Sequence, residues 1–275
     1  MSGGGERLKG KARAAHERGR ALGRRSAARL DMPWARYPFV RLLREGFLSF
    51  LLGPAIDFYM RRKAMGRQHF RGLKGPVVLV ANHSSHLDTP IILSALPLKW
   101  RLRTAVGAAA DYFYRNRLIA AAFSFMFNTV PIQRRGAARG STDHLDRLIR
   151  QRWNLLLFPE GTRSRDGSVG RLRSGAAVFA AEHHTSIVPI HVEGTHDAMP
   201  PGRIWPRRLR GLRLSPRYRV TVHFGTPVRP LPGENPSAVM ERVRAFLESG
   251  PISAADPIVP PDIGALPAPP LAHAG

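Results

Sequence analysis

The chain is 275 residues long, enough for one sizeable domain with a buried core, and 43% of it is apolar, as suits a globular protein. Its formal charge of +24, carried by 38 Arg and only 5 Lys, favours polyanionic partners: lipid headgroups, phosphorylated substrates or nucleic acid. With no cysteine, disulfide frameworks, thiolate nucleophiles and cysteine-based zinc or iron–sulfur sites are excluded.

Residues 1–31 are basic and rich in Gly and Ala, and read as a flexible arm suited to an anionic surface. They contain no apolar stretch of the kind a secretory signal peptide needs, so export is not expected. Residues 32–60 change character, with Phe39, Leu42, Leu43, Phe47, Leu48, Phe50, Leu51 and Leu52 among scattered Arg. The longest uncharged run there, 46–56, is eleven residues, against the roughly 20 apolar residues of a spanning helix. Gly53-Pro54 is expected to interrupt it. A helical segment lying in the membrane interface is expected, with a core helix as the alternative. A second uncharged run, 118–132, is fifteen residues and again too short to span.

Short apolar segments that read as buried strands, at 77–81, 103–106, 154–158, 187–192 and 218–224, alternate with helical patterns. Helices are predicted over 89–96, 109–127, 142–152, 175–183 and 237–247. This alternation predicts an α/β fold, a mixed and largely parallel sheet covered by helices, over a domain spanning 61–249. Residues 250–275 hold seven prolines and read as a disordered or extended tail. Between Arg203 and Arg219, both included, stand seven Arg and no acid, which suits anionic lipid as well as nucleic acid; no nucleic-acid module accompanies them. The echo between Glu160-Gly161-Thr162-Arg163 and Glu193-Gly194-Thr195-His196 is too short to mean duplication and is assigned to chance.

The strand 77–81 should deliver Asn82 and His83 to the edge where α/β sheets open onto a ligand crevice. Asp88, followed by Thr89-Pro90, reads as the N-cap of the next helix. A carboxylate five residues after a histidine across such a turn can hold Nδ1–H and leave Nε2 as a base, an acid–base pair without a protein nucleophile. The competing readings are a plain cap, or a metal set of His83, His86 and Asp88; no metal is expected. A second cluster follows another apolar strand: Phe158-Pro159-Glu160-Gly161-Thr162-Arg163-Ser164. Here Gly161 permits close backbone approach, Thr162 offers a hydroxyl, Arg163 suits phosphate, and Glu160 suits a substrate hydroxyl or Arg163 itself. A third element, Val130-Pro131-Ile132-Gln133-Arg134-Arg135, puts guanidinium groups after an apolar stretch.

Taken together, these motifs resemble the glycerolipid acyltransferase family typified by 1-acyl-glycerol-3-phosphate acyltransferases. Asn82-His83-Ser84-Ser85-His86-Leu87-Asp88 matches the family's Asn-His-x4-Asp, and residues 158–164 match its Phe-Pro-Glu-Gly-Thr-Arg-Ser throughout. The second block departs from Gly-x-x-Phe-Ile-x-Arg: Asn128 and Pro131 replace the glycine and phenylalanine, while Ile132 and Arg134 remain. Ile187-Val188-Pro189-Ile190 resembles a fourth block held to line the acyl-donor site. The likeness covers roughly 60–225. It implies His83 and Asp88 as the catalytic pair, with substrate bound by Arg134, Glu160, Gly161, Thr162 and Arg163. It also implies an acyl-CoA or acyl carrier protein co-substrate, no other cofactor, and a lysophospholipid acceptor, by default 1-acyl-glycerol-3-phosphate, with glycerol 3-phosphate or another lysolipid next. Peripheral or monotopic attachment to the cytoplasmic face of the cell membrane follows as an expectation. The alternative of a different class is a basic nucleic-acid- or membrane-binding protein without catalysis.

Overall fold

The computed structural model describes residues 29–114, 116–133, 143–203, 205–206 and 217–249. Most of the basic arm, Arg134, most of the arginine-rich stretch after Arg203 and the proline-rich tail lie outside the described residues.

A seven-stranded sheet organises the chain: β1 (Met60–Met65), β2 (Val77–Ala81), β3 (Thr104–Ala109), β4 (Thr129–Ile132), β5 (Asn154–Leu157), β6 (Ser186–Glu193) and β7 (Tyr218–Phe224). Their order is β1-β7-β6-β2-β5-β3-β4. Every neighbouring pair is parallel except β6 with β7. The sheet is therefore mixed and largely parallel, as expected. The helices are α1 (Pro38–Gly46), α2 (Gly53–Tyr59), α3 (Asp88–Ala95), α4 (Leu98–Arg101), α5 (Ala110–Phe113), α6 (Arg117–Phe127), α7 (Asp143–Arg150), α8 (Gly175–Glu182), α9 (Thr195–Ala198) and α10 (Pro236–Ser249).

The central strand shows why the sheet is buried on both sides. Val77, Leu79 and Ala81 of β2 join one apolar core with Ile91 and Ile92 of α3. Val78 and Val80, on the opposite face, join another with Ala177 of α8 and Val243 of α10. Successive side chains of a strand alternate faces, so an unbroken apolar run is what two helical layers require.

Three elements differ from expectation. The predicted helix over 109–127 is two helices, because β3 runs on to Ala109 and Asn116 starts α6 by accepting from the backbone N–H of Leu118 at 2.8 Å. Strand β1 carries Arg61, Arg62 and Lys63; it lies at the sheet's edge, where outward charge is tolerated and the usual apolar signal is absent. Strand β4 is four residues long and contains a proline, too brief to read apart from the apolar run around it.

The N-terminal segment is helical, but Gly53-Pro54 does not interrupt it. A π-helical turn at Phe47–Leu52 joins α1 to α2, with Gly53 N–H donating five residues back to Leu48. Proline then falls in the first turn of α2, where its missing N–H is harmless. This segment leaves Phe39 69% and Phe50 84% exposed, along with Leu42 and Leu51. Its inner side is pinned by buried Arg44, which donates to the carbonyls of Phe125 at 2.6 Å, Ser124 at 3.1 Å and Ala35. Burial lowers the Arg44 pKa to about 10. Arg41 bonds Leu102 at 3.0 Å and lies over the Trp153 ring. Among the described residues no helix is long and apolar enough to cross a membrane.

Candidate active site

Strands β5 and β6 flank β2 in parallel, so the residues that follow all three meet at one end of the sheet. Asn82, buried just after β2, bonds both the N–H and the carbonyl of Val192 in β6 at 2.8 Å, and fixes where the next residue emerges. That residue is His83.

His83 Nδ1 lies 2.9 Å from Asp88 Oδ2. The same oxygen accepts the backbone N–H groups of Ser84 at 2.8 Å and Ser85 at 2.9 Å, and Oδ1 accepts from Thr195 Oγ1 at 2.6 Å. Two backbone N–H donors on Oδ2 and a hydroxyl on Oδ1 suit an ionised carboxylate, which only accepts, so the hydrogen between Nδ1 and Oδ2 is assigned to Nδ1 and Nε2 keeps its lone pair. The expectation that Asp88 caps α3 is corrected: its carboxylate folds back onto the turn upstream and makes no capping bond to the helix. Carboxylate, imidazole and turn are thereby locked into one unit. The ring of Phe158, the first residue after β5, stacks on His83 with centroids 4.1 Å apart and planes at 26°.

Glu160 was expected to bind substrate or Arg163, and the structure places it differently. It is 8% exposed, and its two oxygens accept from the N–H of His83 at 2.8 Å and of Gly170 at 2.9 Å. Burial raises its pKa, opposed by those two backbone donors. Glu160 thus braces the backbone of His83, and Ser164 N–H adds a second brace by donating to the His83 carbonyl at 2.7 Å. The two motifs that are 77 residues apart in sequence form one site through these bonds.

A cavity of about 960 Å³ opens beside His83. Its lining includes the apolar Val106, Ile119, Phe123, Phe127 and Leu157 and also Thr162, Arg163, Arg173 and Arg203. No carboxylate appears among the described residues that line it. Gly161 and Thr162 line it, whereas Arg134 lies outside the described residues. His86 lines it too, and burial, with Arg163 and His83 close by, lowers its pKa to about 4, so it is neutral near pH 7.

Arg173 is a residue that sequence reasoning passed over. It sits in a Ser- and Arg-rich loop with no local pattern, and reaches the site because its N–H bonds the carbonyl of Pro159 at 3.1 Å. Gly161 adopts φ +72°, and a Cβ there would meet the Arg173 guanidinium carbon at 3.1 Å. The glycine therefore serves both the turn and the close approach of a cation. Ile187-Val188-Pro189-Ile190 does not line the cavity; these residues are buried inside the sheet, Pro189 paired with Val80 of β2. Asn128, at the missing glycine of the second block, takes the left-handed conformation (φ 53°, ψ 50°) that ends α6, so asparagine replaces glycine in the same backbone role.

A braced imidazole–carboxylate pair at the carboxyl edge of an α/β sheet, beside a cavity lined by apolar and cationic side chains, has the features of a base-catalysed group-transfer site. Residues 61–193 match the family model described as Acyltransferase, and this region of the chain belongs to that family. The chain is 30% identical over 220 residues to a chloroplastic 1-acyl-sn-glycerol-3-phosphate acyltransferase of Arabidopsis thaliana, covering 76% of this chain and 56% of that protein. A Brassica napus chloroplastic protein of the same description is 32% identical over 197 residues, with 68% and 53% covered. The chain thus spans little more than half the length of these relatives. The crystal structure of the 1-acyl-sn-glycerophosphate (LPA) acyltransferase PlsC from Thermotoga maritima shares the fold, with a TM-score of 0.53 at 20% identity, covering 86% of this chain and 96% of that one.

Proposed function

We propose that this protein moves a fatty acyl group from an acyl thioester to the free hydroxyl of a lysophospholipid, 1-acyl-glycerol-3-phosphate by preference, forming phosphatidate. The observation that carries this reading is the cavity beside His83, whose lining combines apolar side chains suited to acyl chains with the cations Arg163, Arg173 and Arg203, suited to a phosphate. His83 Nε2 takes the acceptor hydroxyl's proton as that oxygen bonds to the thioester carbonyl carbon. The tetrahedral intermediate expels the thiolate, which takes the proton back from Nε2 as the C–S bond breaks. Asp88 neither gains nor loses a proton; it holds the ring and stabilises the transient imidazolium. Arg163 and Arg173 orient the acceptor through its phosphate, which lowers the entropic cost of the encounter. The exposed apolar side chains of the N-terminal helical segment dip into the membrane and bring the cavity to its lipid substrate. Acyl-CoA and acyl carrier protein are both suitable donors.

The test is a mass-spectrometric screen of the purified protein against lysophosphatidate, glycerol 3-phosphate, other lysolipids and monoacylglycerol, with each donor in turn. Phosphatidate from lysophosphatidate is expected as the dominant product. A preference for monoacylglycerol over every phosphorylated acceptor would overturn the assignment.

A further inference from the structure

We propose that Thr195 is a positioning residue of the catalytic pair, acting through the Asp88 oxygen that His83 does not use. Inside the buried turn, Asp88 Oδ2 has three donors, while Oδ1 has one among the described residues, the Thr195 hydroxyl at 2.6 Å. Asp88 and Thr195 are both 0% exposed, so water does not reach Oδ1 in place of that hydroxyl. An ionised carboxylate only accepts, so Thr195 spends its single proton on Asp88. Ser84 Oγ, 3.2 Å from Thr195 Oγ1, is then the donor of the next bond. The result is a directed chain, Ser84 to Thr195 to Asp88, that ends on the carboxylate.

The delivery of Thr195 is specific. It follows β6, the strand beside β2, at the turn made by Gly194. Gly194 adopts φ +81°, and a Cβ there would stand 2.1 Å from the Arg219 carbonyl oxygen of β7. Glycine is thus required for the hydroxyl to arrive under Asp88. The fragment Gly194-Thr195, set aside in sequence as a chance echo, is the part of the β6 region that reaches the chemistry.

A hydroxyl donor on Oδ1 draws negative charge away from Oδ2 and keeps the carboxylate anionic in a site without solvent. Removing it frees the carboxylate to turn about its Cβ–Cγ bond, so Oδ2 no longer holds the imidazole in line for proton transfer, and it makes Asp88 a better proton acceptor, so the His83–Asp88 pair takes up its proton at higher pH. This inference rests on the acid–base reading of the pair and not on the identity of the acceptor.

Thr195→Val removes the hydroxyl at nearly constant volume. With Thr195→Val folded as judged by circular dichroism, kcat is expected to fall about 10- to 100-fold, the scale of one lost bond to a charged group. KM for both substrates stays near the wild-type value, and the acid limb of the kcat/KM profile moves to higher pH. Thr195→Ser, which keeps the donor, restores most of the rate, and Ser84→Ala shifts the limb in the same direction by less. The His83 imidazole titration, followed by NMR, moves upward in Thr195→Val whichever acceptor the enzyme uses. A Thr195→Val protein with wild-type kcat and an unmoved titration would overturn the proposal, as would equal losses in the valine and serine variants. If Thr195→Val does not fold, the serine and Ser84→Ala proteins decide the matter, and unmoved profiles in Ser84→Ala count against it.

Discussion

The turn around His83 and the helical segment from Pro38 to Tyr59 handle exposure in opposite ways. At the turn, Asp88 accepts four bonds and Glu160 two, and the groups that hold the histidine are buried. Along the segment, Phe39, Leu42, Phe50 and Leu51 face solvent, while Arg44 on the inner side is held by three carbonyls. The first region is complete within the protein; the second leaves unburied a large apolar surface that a lipid interface would cover. Catalysis needs a geometry fixed in advance, and attachment needs a surface left open.

His83→Ala is the hardest test of that division. It should lower acyl transfer about 100- to 10,000-fold, as loss of a general base does, and leave binding to vesicles of mixed zwitterionic and anionic phospholipid unchanged in a flotation assay. The double change Phe39→Ser with Phe50→Ser attacks the other side. Each full burial of such a side chain is worth about 1.5–3 kcal/mol, so with two removed vesicle partition should fall at least about 100-fold while turnover of short-chain substrates in micelles holds. A fall in both assays would show that the two regions are coupled.

Arg173→Ala should raise the acceptor KM about tenfold with little change for the donor, since it removes one charge-assisted contact to phosphate. The same variant should lose most of its preference for lysophosphatidate over monoacylglycerol. Equal effects on donor and acceptor would take Arg173 out of the phosphate cradle. The mildest expected effect concerns His86. Its pKa of about 4 lies below the ordinary histidine value of about 6.5, so the unfolded chain binds more protons between those limits and stability rises with pH across them. In His86→Leu the difference between urea midpoints at pH 4.5 and pH 7 should shrink. An unchanged difference would mean that other groups set that slope.

Much of this was legible in sequence because its signals are local. The unbroken apolar run of β2 marks a strand covered on both faces, and Asn82 through Asp88 follows it without interruption. Asn128 tolerates the left-handed conformation and so carries a local signal for the end of α6. Arg173 and Thr195 carry no such signal, since each becomes functional only through a neighbour remote in sequence.

Sequence by itself determined the alternation that makes an α/β sheet, the pairing of His83 with Asp88 across a short turn, and the character of the second motif at residues 158–164. These depend on covalent spacing and on the period of apolar residues. Only the tertiary structure decided that Asp88 is met from beneath by Thr195 and that Glu160 braces the backbone of His83. Each of those outcomes turns on which donors lie within about 3 Å of a buried acceptor. That is a property of strand order and of side chains brought together from β2, β5 and β6, not of any one segment of the chain.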